Sequence, residues 1–364
     1  MKAPYSEGCT TLRDTFLTRK ECELTTESLD KTNIPTEELS LIVRMKSPDF
    51  QWALVTGAGG FIGSHLVDRL LREGLEVIAF DHFQYEKGNL KHLSGESRLK
   101  VIRGDLLDTD SVSRALEDVD VVFHEAGPGS VALTIREPEM TNRVVIDGTF
   151  GLLKAAVAKK VKRVIHASTV SVYGVAPAPF REDGPLMPVT PHGASKIGAE
   201  AYCSVFYHLY HLETISLRYF NVYGPRNSRG EKGGLIPRIV EKMFEGKEIT
   251  MYGDGKQTRD YTYIDDIVEA NMLAMSSEGA VGRAINVGTG VGTSVNDVVE
   301  IVASILGKNN YSVKHTPTMP EECFEMYADL TWAKRYLGFS PSVSLREGLQ
   351  RYIEWEQQLL TRSF

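Results

Sequence analysis

The sequence predicts an α/β fold, a doubly wound parallel sheet followed by a smaller C-terminal α/β domain. Three observations predict it. From residue 52 to about 170, short Val- and Ile-rich runs alternate with amphipathic stretches, as parallel strands alternate with crossover helices. The first of these runs stops abruptly in glycines and restarts as an apolar helix. After residue 220 the texture changes to turns and aromatics, as in NVYGPRNSRGEKGG and MYGDGKQTRDYTY, and then to further helices.

The elements follow in order. Residues 1–44 are polar, rich in Thr, Glu and Ser, and lack clear periodicity, so they read as a flexible or loosely packed N-terminal extension. The dinucleotide-binding domain is expected over 45–220 and a substrate domain over 221–364. Within the first, ALVTG, EVIAFD, KVIRGD, VVFHEA and RVIHAS read as strands, and SVSRALEDV (111–119) and VIDGTFGLLKAAVAKK (145–160) as helices. In the second, helices are expected over 294–306 and 344–358. The AINVG run at 284–288 is expected to return to the large sheet and interleave the two domains. The 364-residue length is ample for two domains and a large core.

The glycine stretch carries the first chemistry. Gly57, Gly60 and Gly63 stand at G-x-x-G-x-x-G spacing between a strand and a helix. Gly57 permits the turn, Gly60 lets the backbone approach a pyrophosphate, and Gly63 lets helix and strand pack closely. The phosphates would rest on free N–H groups at the helix start, at Phe61 and Ile62, where the helix dipole favours negative charge. A glycine motif alone is also compatible with an ordinary βα turn. Here Asp81 closes the second strand, placed to hydrogen-bond the adenosine ribose hydroxyls and to repel a 2′-phosphate. The reading is a Rossmann-type domain binding NAD in preference to NADP. Asp105, after the third strand, could accept from the adenine amino group with Leu106 packed on the ring. It could equally cap a helix, as Asp108 and Asp110 could.

Composition excludes other classes. A charged content of 24% and a net charge of −7, with basic residues dispersed, give no footprint for nucleic acid. Cys9, Cys22, Cys203 and Cys323 form no C-x-x-C pair and no metal spacing, so they read as reduced thiols. No apolar run reaches the roughly 18 residues that would span a membrane, and the N-terminus lacks a signal peptide's apolar core. A cytoplasmic protein is expected, without membrane, nucleic-acid or metal partners.

Further motifs carry a resemblance. TGAGGFIGS, GDLLD, HASTVSVYG, GASK, RYFNVYGPRN, GDGKQTRDYTYIDD and ADLTWAKRYLGFSP, spread over residues 50 to 358, resemble the NAD-dependent nucleotide-sugar epimerase/dehydratase family. These are the extended short-chain dehydrogenases/reductases, and the texture is most similar to UDP-sugar 4-epimerases. The resemblance implies oxidation of a sugar hydroxyl by hydride transfer to NAD and return of the hydride to the other face. It places Thr169 at the catalytic hydroxyl position and Lys196 at the lysine position, where Lys196 would also hold the nicotinamide ribose. A solvated helix lysine is the plain alternative. The family's tyrosine is replaced: P-Y-G-A-S-K reads Pro191-His192-Gly193-Ala194-Ser195-Lys196 here. Histidine could serve directly as the base, the site could bind ligand without turnover, or the change could be a laboratory variant.

The resemblance also implies a substrate site at Ser130, Asn221 and Arg259. A guanidinium can clamp a diphosphate, although Arg259 could instead pair with Asp260, Asp265 or Asp266. The family's second phosphate arginine is missing, since Met319-Pro320-Glu321-Glu322 stands there. Gly127 would line the cofactor and Asn142 support its pocket. The dehydratases' Asp-Glu pair is absent, with Val170 and Ser171 in its place, and so is the decarboxylases' Glu. C4 epimerisation of a UDP-hexose or UDP-hexuronic acid is therefore expected. The alternatives are a non-catalytic NAD- and nucleotide-sugar-binding protein and a ketosugar reductase or dehydrogenase. Helices near 142–158 and 194–211 resemble the pair that builds a homodimer in relatives. Ala199, Tyr202, Val205 and Phe206 could form that face or a buried core face.

Overall fold

The computed structural model describes residues 50–362 apart from 85–87, 229, 231, 232, 309 and 318–322. The expectations for residues 1–44, for Cys9 and Cys22 and for Met319 to Glu322 lie outside the described residues.

The described residues open with β1 (Trp52–Thr56), α1 (Phe61–Arg72), β2 (Glu76–Asp81), β3 (Leu99–Arg103), α2 (Thr109–Ala115) and β4 (Val121–His124). There follow α3 (Val131–Arg136), α4 (Pro138–Asn142), α5 (Gly148–Ala158), β5 (Arg163–Thr169), α6 (Pro191–Tyr210) and β6 (Glu213–Tyr219). Beyond them come β7 (Val222–Tyr223), α7 (Leu235–Glu245), β8 (Ile249–Tyr252), β9 (Thr258–Arg259), β10 (Thr262–Tyr263) and α8 (Ile264–Ser276). The chain ends with β11 (Ala284–Val287), β12 (Thr293–Ser294), α9 (Val295–Leu306), β13 (Val313–Thr316), β14 (Glu325–Met326) and α10 (Leu345–Arg362).

One sheet runs in the order β3-β2-β1-β4-β5-β6-β11, with every neighbouring pair parallel. Its strand order reverses between β1 and β4, where ligands of doubly wound sheets bind. Alternation along the strands splits the interior. Ala53, Val55, Val77, Ala79, Val121 and Phe123 face α1 and α8 through Leu66, Val67, Leu70 and Ile267. Leu54, Ile78, Phe80 and Val122 face α2, α5 and α6 through Val112, Leu152, Leu153 and Phe206. Both faces are therefore covered, as a wholly parallel sheet requires. The strand Ala284–Val287 closes the far edge against β6, so a segment from beyond residue 221 completes the large sheet. Short ladders make the smaller lobe: β7 with β10, β8 with β13, and β9 between β12 and β14.

Three helix boundaries differ from expectation. α2 ends at Ala115, not near 119, and Asp118 takes a positive φ of 60° that no helix continues through. The helix expected from 145 starts earlier, at Pro138, and passes through a π-helical turn over Arg143–Asp147. α10 runs on to Arg362.

The face offered for a homodimer also divides. Ala199 and Phe206 are buried in this chain's own fold, so they are not available to a partner. Tyr202, Val205, Leu209 and Tyr210 stay exposed along α6, beside Phe150 of α5, whose ring lies 5.2 Å from that of Tyr202.

Candidate active site

At their carboxyl ends β1 and β4 are in register, with Thr56 beside His124, and so are β5 and β6, with Thr169 beside Tyr219; β5 runs three residues past His166, the partner of His124. The side chains of the candidate site are set along this edge.

The β1–α1 turn accounts for two glycines directly. Gly57 has φ +67°, and a Cβ there would sit 2.8 Å from the backbone of Ala126, just past β4. A Cβ on Gly63 would lie 2.3 Å from the Gly57 carbonyl oxygen, so helix and turn touch backbone to backbone. α1 begins at Gly60 with no side-chain cap and no acidic residue in its first turn. The N–H groups of Phe61, Ile62 and Gly63 therefore lack intrahelical partners. The Asp81 carboxylate accepts from Gly59 N–H at 3.0 Å and from Phe83 N–H at 2.7 Å, tying β2 to the glycine turn.

Asp105 is exposed and its carboxylate accepts from Leu107 N–H at 3.0 Å. The helix cap is instead Asp108, which accepts from Asp110 and Ser111 N–H, both at 3.1 Å. Leu106 is only 6% exposed and packs in the core that contains Phe80 and Val112. Gly127 lies open, and a Cβ on it would come 3.8 Å from Lys196 Nζ. Ser130 is the first-turn flank of α3 with no side-chain cap bond, and Asn142 is exposed at the end of α4.

α6 supplies the reactive pair. Thr190 caps it, accepting from Gly193 N–H at 3.2 Å, and Pro191 sets its first turn. His192 and Lys196 follow four residues apart on one face. A Cβ on Gly193 would lie 2.3 Å from the Ser171 carbonyl oxygen, so this end of the helix is pressed against the chain leaving β5. There Thr169 Oγ1 donates to Ser171 Oγ at 3.3 Å and accepts from Ser171 N–H at 3.2 Å. Lys196 is buried and donates to the Ala167 carbonyl. Burial lowers its ammonium to about 8, against the attraction of Glu125. Burial and then repulsion by Lys196 lower the His192 imidazole to about 4. His192 Nδ1 is buried without a hydrogen-bond partner among the described residues.

Three residues that sequence reasoning missed stand beside this pair. Glu125, the residue after β4, is partly buried, and burial pushes its carboxyl up to about 7 against the pull of Tyr219 and Lys196. Tyr219 donates to Glu125 at 2.9 Å and accepts from Asn271 Nδ2 at 2.8 Å. His124 is held between Thr56 Oγ1 at 2.8 Å and Thr149 Oγ1 at 3.0 Å, and burial lowers its imidazole to about 3. One signal was available: an acidic residue directly after a short, fully buried strand falls on the carboxyl edge.

The smaller lobe brings Asn221 and Arg259 together. Both line a cavity of roughly 240 Å³ with Leu235, Ile236, Met251 and Val295. Asn221 donates to the Asp260 carbonyl at 3.1 Å, and Arg259 Nη1 donates to the carbonyls of Thr258 and Cys323 at 2.7 and 2.8 Å. The acids offered as alternative partners for Arg259 are engaged elsewhere. Asp260 accepts from Thr289, Gly290 and Ala328, Asp266 from Ser342 and Val343, and Asp265 from Arg351. Among the described residues no cluster of His, Cys, Asp or Glu could hold a metal.

The reversal of strand order beside β1 and the uncapped start of α1 after the glycine turn define a dinucleotide-binding fold. The chain belongs to the NAD dependent epimerase/dehydratase family, whose model matches residues 53–288. It is 35% identical to a UDP-glucose 4-epimerase of Mycolicibacterium smegmatis, over 83% of this chain and 97% of that protein. It is also 35% identical to a UDP-N-acetyl-alpha-D-glucosaminuronate decarboxylase of Bacillus cytotoxicus, over 84% and 98%. The crystal structure of UDP-glucuronic acid 4-epimerase from Bacillus cereus, in complex with UDP-glucuronic acid and NAD, superposes with TM-score 0.79. The two are 35% identical, and the match covers 85% of this chain and all of that one.

The residues present fit NAD. The backbone contacts at Gly57 and Gly63 leave room where a side chain would intrude, and the α1 N–H groups await an anion. Asp81 holds the glycine turn through Gly59 N–H, and a Cβ on Gly127 would meet only Lys196 Nζ, at 3.8 Å.

Proposed function

We propose that the protein interconverts the C4 epimers of a UDP-hexose or UDP-hexuronic acid. The observation that carries this reading is the His192–Lys196 pair set against the Thr169 and Ser171 hydroxyls, beside the glycine cradle, with no carboxylate at 170 or 171. NAD bound in the cradle would accept hydride from C4 and return it to the opposite face.

The chain's residues do the rest. Arg259 and Asn221 hold the diphosphate, while the apolar wall of their cavity takes the nucleoside. Ser130 faces the sugar from the β4 side. Thr169 hydrogen-bonds the C4 oxygen. His192 Nε2 takes the C4 hydroxyl proton, since Nδ1 is enclosed, and later gives it back. Lys196 fixes the ribose and the oxygen's charge. Gly57, Gly60, Gly63, Phe61 and Ile62 bind the pyrophosphate, Asp81 the ribose, and Asp105, beside the buried Leu106, the adenine. An epimerase needs nothing more, because the ketosugar only has to turn over. Dehydration or decarboxylation would ask for an acid where Val170 and Ser171 stand. The protein is taken to work in the cytoplasm as a homodimer, using the exposed face of α5 and α6.

The test is proton NMR of the protein with NAD and UDP-glucose, UDP-N-acetylglucosamine or UDP-glucuronate. Signals of one C4 epimer are expected, and His192→Ala should lower the rate by about 10²–10⁴-fold. Silence across the panel with NAD bound would favour a binding-only protein. In that case a large gain in His192→Tyr would mark the site as degenerate. Stoichiometric consumption of added cofactor would instead indicate a one-way reductase or dehydrogenase.

A further inference from the structure

An imidazole that accepts a proton one helical turn from an ammonium puts two cations into one buried wall. Lys196 Nζ donates to the Ala167 carbonyl on β5, and Glu125 directly follows His124, which pairs with His166 next to Ala167, so both charges sit at this end of the sheet. Glu200 and Cys203 on the same helix and the imidazoles of His124, His166 and His192 also act on this neighbourhood. Burial keeps the Cys203 thiol protonated, and holds His124 and His166 neutral. Glu200 is already engaged: its carboxylate accepts from Arg218 Nη2 at 2.7 Å and Nε at 3.0 Å, and from the Ser168 hydroxyl. Glu125 has no cation in hydrogen-bond contact among the described residues. It accepts from the Tyr219 hydroxyl, which burial keeps protonated and Asn271 orients.

Resting on the reading of His192 as the base, we propose that Glu125 is a positioning residue for proton transfer. Acting through Lys196, its carboxylate is the counter-charge that lets His192 become cationic during turnover. In the step itself the sugar O–H proton passes to His192, the C4 hydride to NAD, and the C4–O bond becomes a carbonyl. Glu125 stays ionised and Lys196 stays an ammonium throughout. Each favours the other's charged form: Lys196 pulls the Glu125 carboxyl down against its burial, and Glu125 pulls the Lys196 ammonium up against its own. A tyrosine at position 192 would work by losing a proton and would bring its own negative charge, so it would not need Glu125.

Two measurements on the NAD-loaded full chain decide this. The first is a carbon-13 NMR titration of the Glu125 side-chain carboxyl, assigned by its loss in Glu125→Gln. It should titrate near neutrality and move upward by about a unit or more in Lys196→Met. An ordinary carboxylate titration, or one that Lys196→Met leaves in place, overturns the proposal. The second is the pH profile of kcat in four proteins: wild type, Glu125→Gln, His192→Tyr and the double variant. Glu125→Gln should cost about ten-fold or more with KM little changed, and should remove an acid limb near pH 7. In the His192→Tyr background the same change should cost little. Equal losses in both backgrounds would make Glu125 merely structural and overturn the proposal. If wild type epimerises no UDP-sugar, the functional reading falls, while the carboxyl titration still decides whether Glu125 is the counter-charge of Lys196.

Discussion

At position 192 the chemistry turns on the sign of a charge. Next to Lys196, a phenol is helped to lose a proton, while an imidazole is hindered in gaining one; burial first and Lys196 second lower His192 to about 4. Glu125 offsets it, and its burial has a consequence for stability. The folded carboxyl keeps its proton to about 7, whereas the unfolded one ionises near 4.5. The native state therefore gains from this group below pH 4.5 and loses that gain as pH rises to 7. Glu125→Gln should raise the melting temperature relative to wild type at pH 8 and not at pH 4.5. The difference should reach on the order of 1–3 kcal/mol, read by thermal unfolding at both values. A constant difference would contradict the burial argument. The glycines, Asp81, Thr169 and Lys196 were legible in the sequence because each sits in a short local pattern. Glu125 was not, since its carboxyl depends on Tyr219, which is 94 residues away, and on Asn271 behind it.

Among the elements, the start of α6 places the chemistry. Gly193 lets that helix lie against the Ser171 carbonyl, and a methyl group there has no room. Gly193→Ala should push His192 and Lys196 away from Thr169, lowering kcat by about 10²-fold with substrate KM nearly unchanged, as steady-state kinetics would read. The β1–α1 turn is equally tight. Gly57→Ala must accept a positive φ and a 2.8 Å approach to Ala126. About 1–3 kcal/mol of stability should be lost, with NAD affinity falling in parallel in a fluorescence titration. Normal affinity would show that the turn does not shape the cofactor site. Strand identities were readable from Val- and Ile-rich runs. The ends of α2 and the π-helical turn before α5 were not, because the positive φ at Asp118 and the packing of Ile146 on Gly198 are set by tertiary contacts.

For the whole molecule, a doubly wound sheet is closed at its far edge by β11, a strand from beyond residue 221 that pairs with β6. The alternation of strands and helices made that architecture legible. The cavity between Asn221 and Arg259 was not, because it is assembled from short ladders whose residues are far apart in sequence. Among the described residues no helix is long and apolar enough to cross a membrane. The exposed Tyr202, Val205, Leu209 and Tyr210 of α6 predict self-association. Light scattering should give twice the 40.4 kDa chain mass, and Leu209→Glu should return it to one chain; a wild-type monomer would contradict this. The central claim is reversible hydrogen removal at C4, and the most direct measurement uses UDP-sugars deuterated at C4. A C4 epimer that retains deuterium at C4 is expected, with no net consumption of NAD. An epimer that has lost its deuterium to solvent, or no epimer from any sugar while NAD is bound, would contradict it.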